Sequence, residues 1–347
     1  MLCNKRSLLL LSLGVAAISW IYAEETMSIY RGTVWFIKGM REYTKSGYEA
    51  AAKKFNEGDL KVDCTGKSYL ITGSNSGIGK HAALELARRG GTVHLVCRNK
   101  TAAQEACDEI KSETGNNNVH VHVLDISKPR DVIRFVQSFT HELDVLVNNA
   151  GCMVHTRELD ENGLEKNFAT NVVGTYLLTK ALLTKFEGSS DPRVITVSSG
   201  GMLNQKLDAE DPQCDKMKTF DGRQVYSQNK RGQIVMTEQL AKAHPSVHFS
   251  SMHPGWADTP AVRTAMPDFY NKMKDRLRTT DQGADTIVWL AIAAAAKKQP
   301  SGLFFQDRTP VSTHLPLAWT KSTPQEETVF MQKLEDLWHK FNRVDCE

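Results

Sequence analysis

Residues 72–80 read TGSNSGIGK, which places Gly73, Gly77 and Gly79 between a short apolar run and a segment with helical spacing. The preceding run, SYLIT at residues 68–72, is typical of a buried strand, and the residues from Lys80 onward predict a helix. Glycines at such a turn let the backbone approach a phosphate and offer it the unpaired N–H groups of the helix. The stretch predicts a dinucleotide-binding loop, with a plain tight turn as the alternative.

Strand-like runs and helical segments alternate through most of the chain. The strand-like runs lie at residues 68–72, 92–97, 119–125, 143–149, 193–199 and 247–255. The helical segments between them lie at residues 77–90, 101–114, 129–139, 164–186 and 226–244. Repeated β-α units with short connections predict an α/β fold, a single doubly wound Rossmann-type parallel sheet of about seven strands with helices on both faces.

Four segments divide the chain. Residues 1–26 form a hydrophobic signal or anchor, 27–64 an aromatic and basic helical head, 65–310 the catalytic domain, and 311–347 an amphipathic helical extension. In the extension, Thr323, Pro324 and Glu326 predict a capped helix with an apolar stripe. The head and the extension are each expected to pack on the domain, with a membrane or partner surface as the alternative.

The N-terminal segment contains 17 uncharged residues, Ser7 to Ala23, preceded by Lys5 and Arg6. This length is near the lower limit for a spanning helix and longer than the core of most signal peptides. We therefore favour membrane association through a retained anchor, for example at the endoplasmic reticulum, over secretion after cleavage of a signal.

Composition excludes some functions. The net charge of +3 comes from nearly balanced signs without Lys/Arg blocks, so no nucleic-acid partner is expected. The seven scattered cysteines show neither zinc-site spacing nor the density of a disulfide framework, so we expect reduced thiols and no metal. The composition is compatible with a homo-oligomer and does not decide the oligomeric state.

Polar residues at the ends of the predicted strands indicate which cofactor binds. Arg98 stands where an NAD-specific site usually places an acid, and an arginine there can pair with the 2'-phosphate of NADP. A surface arginine is the alternative. Asp125 ends the third strand, and Asn148, Ala150 and Gly151 follow the fourth, at the edge where ligands bind in such sheets. We therefore expect NADP(H) as the cofactor.

Tyr226 and Lys230 lie one helical turn apart on one face of a predicted helix. A phenol can donate the proton that carbonyl reduction requires, provided that its pKa is lowered, and a nearby ammonium favours the phenolate. An isolated Y-x-x-x-K is more often an ordinary surface pair. The other motifs decide between these interpretations.

Six motifs in this order resemble a short-chain dehydrogenase/reductase over about residues 65–310: T-G-x-x-x-G-I-G, N-N-A-G, N-x-x-G, V-S-S, Y-x-x-x-K and H-P-G. The resemblance implies that Ser199 rather than Ser198 binds the substrate oxygen, and that Lys230 also holds the nicotinamide ribose. It also implies that Asn171 holds a water for proton relay. The predicted cofactor-binding residues are Gly73, Ser76, Gly77, Ile78, Gly79, Arg98, Asp125, Asn148, Ala150, Gly151, Tyr226, Lys230, Pro254, Gly255 and Thr259.

The interval between Ser199 and Tyr226 is 26 residues, which is longer than most members of this family have. It is similar to the long segment of retinol-dehydrogenase-like members, and we interpret it as an insertion at the mouth of the substrate site. Its apolar residues indicate a lipophilic substrate or, alternatively, anchor the insertion to the core; they are Met202, Leu203, Met217 and Phe220.

The sequence thus predicts an NADP(H)-dependent oxidoreductase that acts on a small carbonyl or alcohol, with Tyr226, Lys230, Ser199 and Asn171 as catalytic residues. A second hypothesis is a catalytically weak nucleotide-binding scaffold or sensor at a membrane. The intact Ser199, Tyr226 and Lys230 argue against it. The spacing of the glycines disfavours a third, a sugar-nucleotide epimerase.

Overall fold

A single eight-stranded sheet forms the centre of the computed structural model, which describes residues 26–343. The strands are β1 (Ser68–Thr72), β2 (Thr92–Cys97), β3 (Val119–Val123), β4 (Val145–Asn148), β5 (Arg193–Val197), β6 (His248–Met252), β7 (Phe304–Gln306) and β8 (Thr309–Pro310). Their order is β3-β2-β1-β4-β5-β6-β7-β8, and only the β7–β8 pair is antiparallel. The predicted doubly wound sheet is confirmed. β8, with two residues, is too short to show an alternating pattern in the sequence.

Helices occupy the segments predicted between the strands, and four further helices, at residues 260–297, were not predicted from the sequence. They are α1 (residues 26–42), α2 (Lys45–Ala52), α3 (Gly77–Arg88), α4 (Lys100–Thr114), α5 (Pro129–Ser138), α6 (Lys166–Phe168), α7 (Thr175–Leu182), α8 (Gly222–Ala243), α9 (Pro260–Ala265), α10 (Pro267–Met273), α11 (Thr280–Ile292), α12 (Ala294–Lys297) and α13 (Pro324–Phe341). A π-helical stretch, Ala169–Gly174, joins α6 to α7.

Each face of the sheet is covered by its own hydrophobic core, because neighbouring residues of a strand point to opposite faces. In β1, Leu70 packs with residues of α5, α7 and α8, whereas Ile71 packs with residues of α3, α4 and α11. Both side chains are fully buried. This burial fixes the register of β1, and with it the position of the glycine loop that follows.

The head packs beside the loop that follows β6. The backbone N–H of Trp256 donates to the carbonyl of Tyr43 at 2.8 Å. A Cβ on Gly39 would lie 2.3 Å from the Trp256 ring, so α1 approaches this ring with its bare backbone. The Arg278 guanidinium donates to the carbonyl of Glu42 at 2.6 Å. The head is therefore tied to the loop by hydrogen bonds as well as by aromatic packing.

The C-terminal helix α13 begins with the predicted capping box between Thr323 and Glu326. Its apolar stripe packs against the sheet domain, where Phe330 and Leu334 belong to the core shared with α5, α7 and α8. A Cβ on Gly232 of α8 would lie 2.9 Å from the Phe330 ring, so the two helices approach closely at this glycine. The stripe is thus covered within the chain itself.

Within residues 26–343, no helix combines the length and apolar character that crossing a bilayer requires. The predicted signal or anchor run, residues 7–23, lies outside the described part of the chain.

Candidate active site

The site lies at the carboxyl ends of β1, β4 and β5, next to the point where the order of the strands reverses, between β1 and β4. Here Thr72 joins two loops, because its hydroxyl accepts hydrogen bonds from the backbone N–H groups of Asn149 and Ala150 at 3.0 and 2.9 Å. The Asn149 amide donates to the Thr72 carbonyl at 2.8 Å. The glycine loop and the N-N-A-G loop are therefore held as one unit. The N-N-A-G motif indicated Asn148 as a site residue, whereas the side chain that joins the two loops is that of Asn149.

The glycine loop has no room for side chains at its closest approaches. A Cβ on Gly79 would lie 2.4 Å from the Asn149 amide nitrogen and 2.6 Å from the Gly73 carbonyl oxygen. Gly77 has a φ of +57° and lies against the Thr259 side chain. This contact brings the glycine loop together with the loop after β6, two segments that were both predicted to bind the cofactor. Ser76, the N-cap of α3, makes no side-chain cap hydrogen bond, so the first-turn N–H groups keep their capacity to bind an anion. This cradle fits a pyrophosphate.

The remaining predicted cofactor residues differ in their placement. Arg98 is exposed directly after β2. Asp125 accepts hydrogen bonds from the backbone and hydroxyl of Ser127 at 3.0 and 2.7 Å. The Asn148 amide instead donates to the Thr179 hydroxyl at 2.8 Å and is buried, so its side chain lies in the core. Ile78 packs against Gly283 of α11.

Three of the four predicted catalytic side chains come together where β5 ends and α8 begins. The Lys230 ammonium lies 5.4 Å from the ring centroid of Tyr226. A hydrogen bond with Ser199 lowers the pKa of the Tyr226 phenol. The neighbouring Ser198 is buried, and its hydroxyl donates to the Lys230 carbonyl at 2.9 Å. Of the two serines, Ser199 is the one whose hydroxyl reaches the phenol.

Burial dominates the electrostatics of this group. It raises the pKa of Tyr226 above its ordinary value, and the nearby Cys152 thiol acts in the same direction. It also lowers the pKa of Lys230 to about 7. In contrast to the lowered phenol pKa expected from the sequence, the protein's own groups keep Tyr226 protonated at neutral pH. The reason is that desolvation disfavours both charged forms.

Asn171 lies in the π-helical stretch, and its side chain is fully engaged with the protein. Its amide donates to the Cys152 carbonyl at 2.8 Å and to the Asn229 side chain at 3.2 Å, and its oxygen accepts from the Cys152 N–H at 2.9 Å. Gly151 permits this approach, since a Cβ there would lie 3.1 Å from the Asn171 side-chain oxygen and 3.5 Å from the Lys230 nitrogen. The loop after β4 thus passes close to both predicted catalytic residues.

The loop after β6 is shaped by Arg278. Gly255 has a φ of +73°, and a Cβ there would lie 2.4 Å from the Arg278 side chain. Arg278 also donates to the Pro254 carbonyl at 3.3 Å and forms an ion pair with Asp307, with the Arg278 and Asp307 side chains 1% and 7% exposed. The sequence carried no signal for Arg278, because its partners lie far away along the chain.

The insertion after Ser199 is anchored to the core. Met202 and Leu203 are buried in a cluster with Ile234 and Phe304, which favours the anchoring alternative for these two residues. Met217 and Phe220 are half-buried. The head also contacts this segment, because the Trp35 indole donates to the Gly200 carbonyl at 2.8 Å. The residue that follows Ser199 is therefore held by α1.

The chain belongs to the short-chain dehydrogenases, a family of oxidoreductases, and the family model matches residues 67–209. It is 58% identical to the human protein named dehydrogenase/reductase SDR family member 12, over 91% of this chain and 100% of that protein. It is 34% identical to bovine retinol dehydrogenase 12, over 71% of this chain and 79% of that protein.

A solved structure supports the same fold. A 3-ketoacyl-(acyl-carrier-protein) reductase from Brucella melitensis, complexed with NADH, is 25% identical, with a TM-score of 0.55 over 70% of this chain and 96% of that chain. Another solved chain of this fold holds NADP. Similar proteins therefore bind one or the other nicotinamide cofactor.

Proposed function

We propose that this protein transfers hydride between NADP(H) and the carbonyl or alcohol group of a small lipophilic molecule. The observation that carries the proposal is the convergence of Ser199, Tyr226 and Lys230 beside a glycine cradle that fits a pyrophosphate. The bound nicotinamide would supply or accept the hydride. The residues of the chain would bind the substrate oxygen and move the proton.

In the reducing direction, the Ser199 hydroxyl would donate a hydrogen bond to the carbonyl oxygen, and the Tyr226 phenol would donate the proton to it. The phenol is protonated at neutral pH, as this role requires, and the hydrogen bond with Ser199 lowers its pKa toward the working range, against the effect of burial. Lys230 would hold the ribose and stabilise the phenolate that is left. Asn171 would support Lys230 through the loop that contains Cys152 and Gly151.

Arg98 supports the choice of NADP(H). It is exposed at the end of β2, where the ribose of a dinucleotide lies in such folds, and a guanidinium can bind a 2'-phosphate through paired hydrogen bonds. Arg98→Ala should abolish the preference for NADPH over NADH, since it removes the guanidinium that would pair with the 2'-phosphate, a group that NADH lacks. Asn99, the N-cap of α4, would still shape the turn.

A lipophilic substrate is supported by the relative that is named a retinol dehydrogenase, because retinol is an apolar alcohol. The half-buried Met217 and Phe220 of the insertion are the chain's own candidates for apolar contacts with such a substrate.

Membrane association is the second part of the proposal. Among residues 26–343, seven large hydrophobic side chains are exposed, and five of them lie on two adjoining segments, α1 and residues 315–320. These five are Ile29, Phe36, Ile37, Leu317 and Trp319. The segments are joined by the Tyr30 hydroxyl, which donates to the Pro316 carbonyl at 2.9 Å. The α1 part of this patch follows the uncharged run at residues 7–23 in the chain, and the patch as a whole suits a lipid surface.

The proposal is tested by titrating the purified protein with NADPH and NADH, and then by measuring NADPH loss with retinal, steroid and aliphatic carbonyls. We expect tighter binding of NADPH and turnover of at least one lipophilic carbonyl. Tighter binding of NADH would contradict the NADP(H) assignment. Binding without turnover of any carbonyl would instead favour a nucleotide sensor. Flotation with liposomes, comparing the full chain with Ile37→Asp, tests the membrane surface.

A further inference from the structure

Gln233 lies one turn beyond Lys230 on α8, and it is fully buried. Its side-chain oxygen accepts a hydrogen bond from the Lys230 ammonium at 3.1 Å. Its side-chain nitrogen donates to the backbone carbonyl of Asn171 at 2.6 Å. One amide therefore bridges Lys230 and the π-helical stretch, and no side chain assigned from the sequence motifs makes this connection.

The other contacts of Lys230 show why the bridge matters. The ammonium also donates to the Val197 carbonyl at 2.8 Å, so a strand end and an amide hold it from two sides. The titratable groups that interact with Lys230 are Tyr226 on the same helix and Cys152 on the loop after β4. Neither group is a fixed negative charge at neutral pH. The neutral acceptors on Val197 and Gln233 are thus what favours the charged form of Lys230 in this buried place.

We propose that Gln233 is a positioning residue, which holds the Lys230 ammonium in place for Tyr226 and occupies the Asn171 backbone carbonyl. The inference rests on the proposed function, in which Lys230 stabilises the phenolate. A water molecule can accept a proton on one side and release another on the opposite side. An amide accepts at oxygen and donates at nitrogen without exchanging the proton between them. In this chain the bridge would therefore fix Lys230 instead of passing its proton to Asn171.

The test replaces the amide and measures the titration of Lys230 directly. In Gln233→Met, a side chain of similar length loses both hydrogen bonds, so the charged form of Lys230 loses one of its acceptors. Hydrogen bonds to charged groups are strong enough that we expect the titration midpoint to fall by about one pH unit or more. The measurement is a pH titration by NMR of protein labelled with ¹³C at the ε-carbon of lysine. The Lys230 signal is assigned from its loss in Lys230→Met.

Gln239→Met is the matched control. Gln239 lies on the same helix, and its amide donates to Glu327 of α13 at 2.6 Å, away from Lys230. This variant tests for a general effect of removing a glutamine from α8, and its Lys230 midpoint should equal that of the wild type. A midpoint in Gln233→Met that stays within about 0.3 pH unit of wild type would overturn the proposal. If Gln233→Met does not fold, Gln233→Asn is used, because its shorter amide cannot span both partners. It should lower the midpoint, and an unchanged midpoint would overturn the proposal equally.

A kinetic arm separates this inference from the proposed function. When the wild type turns over, Gln233→Met should move the rising limb of the alcohol-oxidation pH profile, where the phenol ionises, to higher pH, because a less charged Lys230 favours the phenolate less. An unshifted limb with equal or faster turnover would contradict the inference. If the wild type turns over no substrate, the proposed function fails, while the NMR titration still decides the role of Gln233.

Discussion

The buried ion pair between Arg278 and Asp307 offers a quantitative test of how the head is held against the site. Arg278 donates to both Asp307 carboxylate oxygens, at 2.6 and 2.9 Å, and to the carbonyls of Glu42, Thr44 and Pro254. Arg278→Met would leave a buried carboxylate without its partner. Removing one member of a buried pair costs about 3–5 kcal/mol, so the free energy of unfolding should fall by about that amount.

Urea unfolding followed by circular dichroism measures the loss, and Arg263→Met is the matched control. Arg263 pairs with Asp258 at 2.7 Å, but its side chain is 56% exposed, and exposed pairs contribute about 0–1 kcal/mol. The double variant Arg278→Met/Asp307→Asn should be more stable than Arg278→Met alone, since no charge is then left buried and asparagine tolerates the φ of +49° at this position. Equal losses in Arg278→Met and Arg263→Met would refute the assigned role of Arg278.

Three further predictions follow from other parts of the structure. Gly79→Ala should weaken NADPH binding and lower the free energy of unfolding by about 1–3 kcal/mol, because its Cβ would lie 2.6 Å from a backbone oxygen. Gly32→Ala in α1 is the control: its Cβ would meet no atom within 4 Å, so this substitution should be neutral or stabilising. Ser199→Ala should lower kcat with little loss of stability. Ser198→Ala should mainly lower stability, since its buried hydroxyl donates a hydrogen bond to the backbone of α8. The reverse pattern in kinetics and urea unfolding would contradict the assignment. Burial lowers the pKa of His94 to about 3, so between pH 3 and about 6.5 the unfolded chain binds more protons than the folded chain. The free energy of unfolding should therefore fall as the pH falls through this range. Urea unfolding midpoints at pH 7.5 and 5 check this, and a higher midpoint at pH 5 would contradict it.

The sequence predicted the sheet well because its signals are local. The runs at residues 68–72 and 92–97 became β1 and β2 without any change of bounds, since each is a short apolar run ended by turn residues. The capping box at Thr323 likewise depends on neighbours in the chain. The strand ends and the ordered motifs were enough to bring Ser199, Tyr226 and Lys230 to one place.

Features that depend on distant partners could not be predicted. Gln233 bonds a carbonyl 62 residues away, and Arg278 bonds carbonyls of the head more than 230 residues away. The pKa of Tyr226 was expected from the sequence to be lowered, whereas burial raises it, for a related reason. Helical spacing predicts that Lys230 is near, but only the packed structure shows how strongly burial opposes the ionised phenol.

The most direct measurement of the central claim is the single-turnover rate of hydride transfer from NADPH to a carbonyl substrate in Tyr226→Phe. This substitution removes one hydroxyl, the proton donor, and leaves the glycine cradle intact. We expect a rate that is lower by about 100-fold to 10,000-fold, with an NADPH dissociation constant close to that of the wild type. A rate equal to that of the wild type would show that another group delivers the proton.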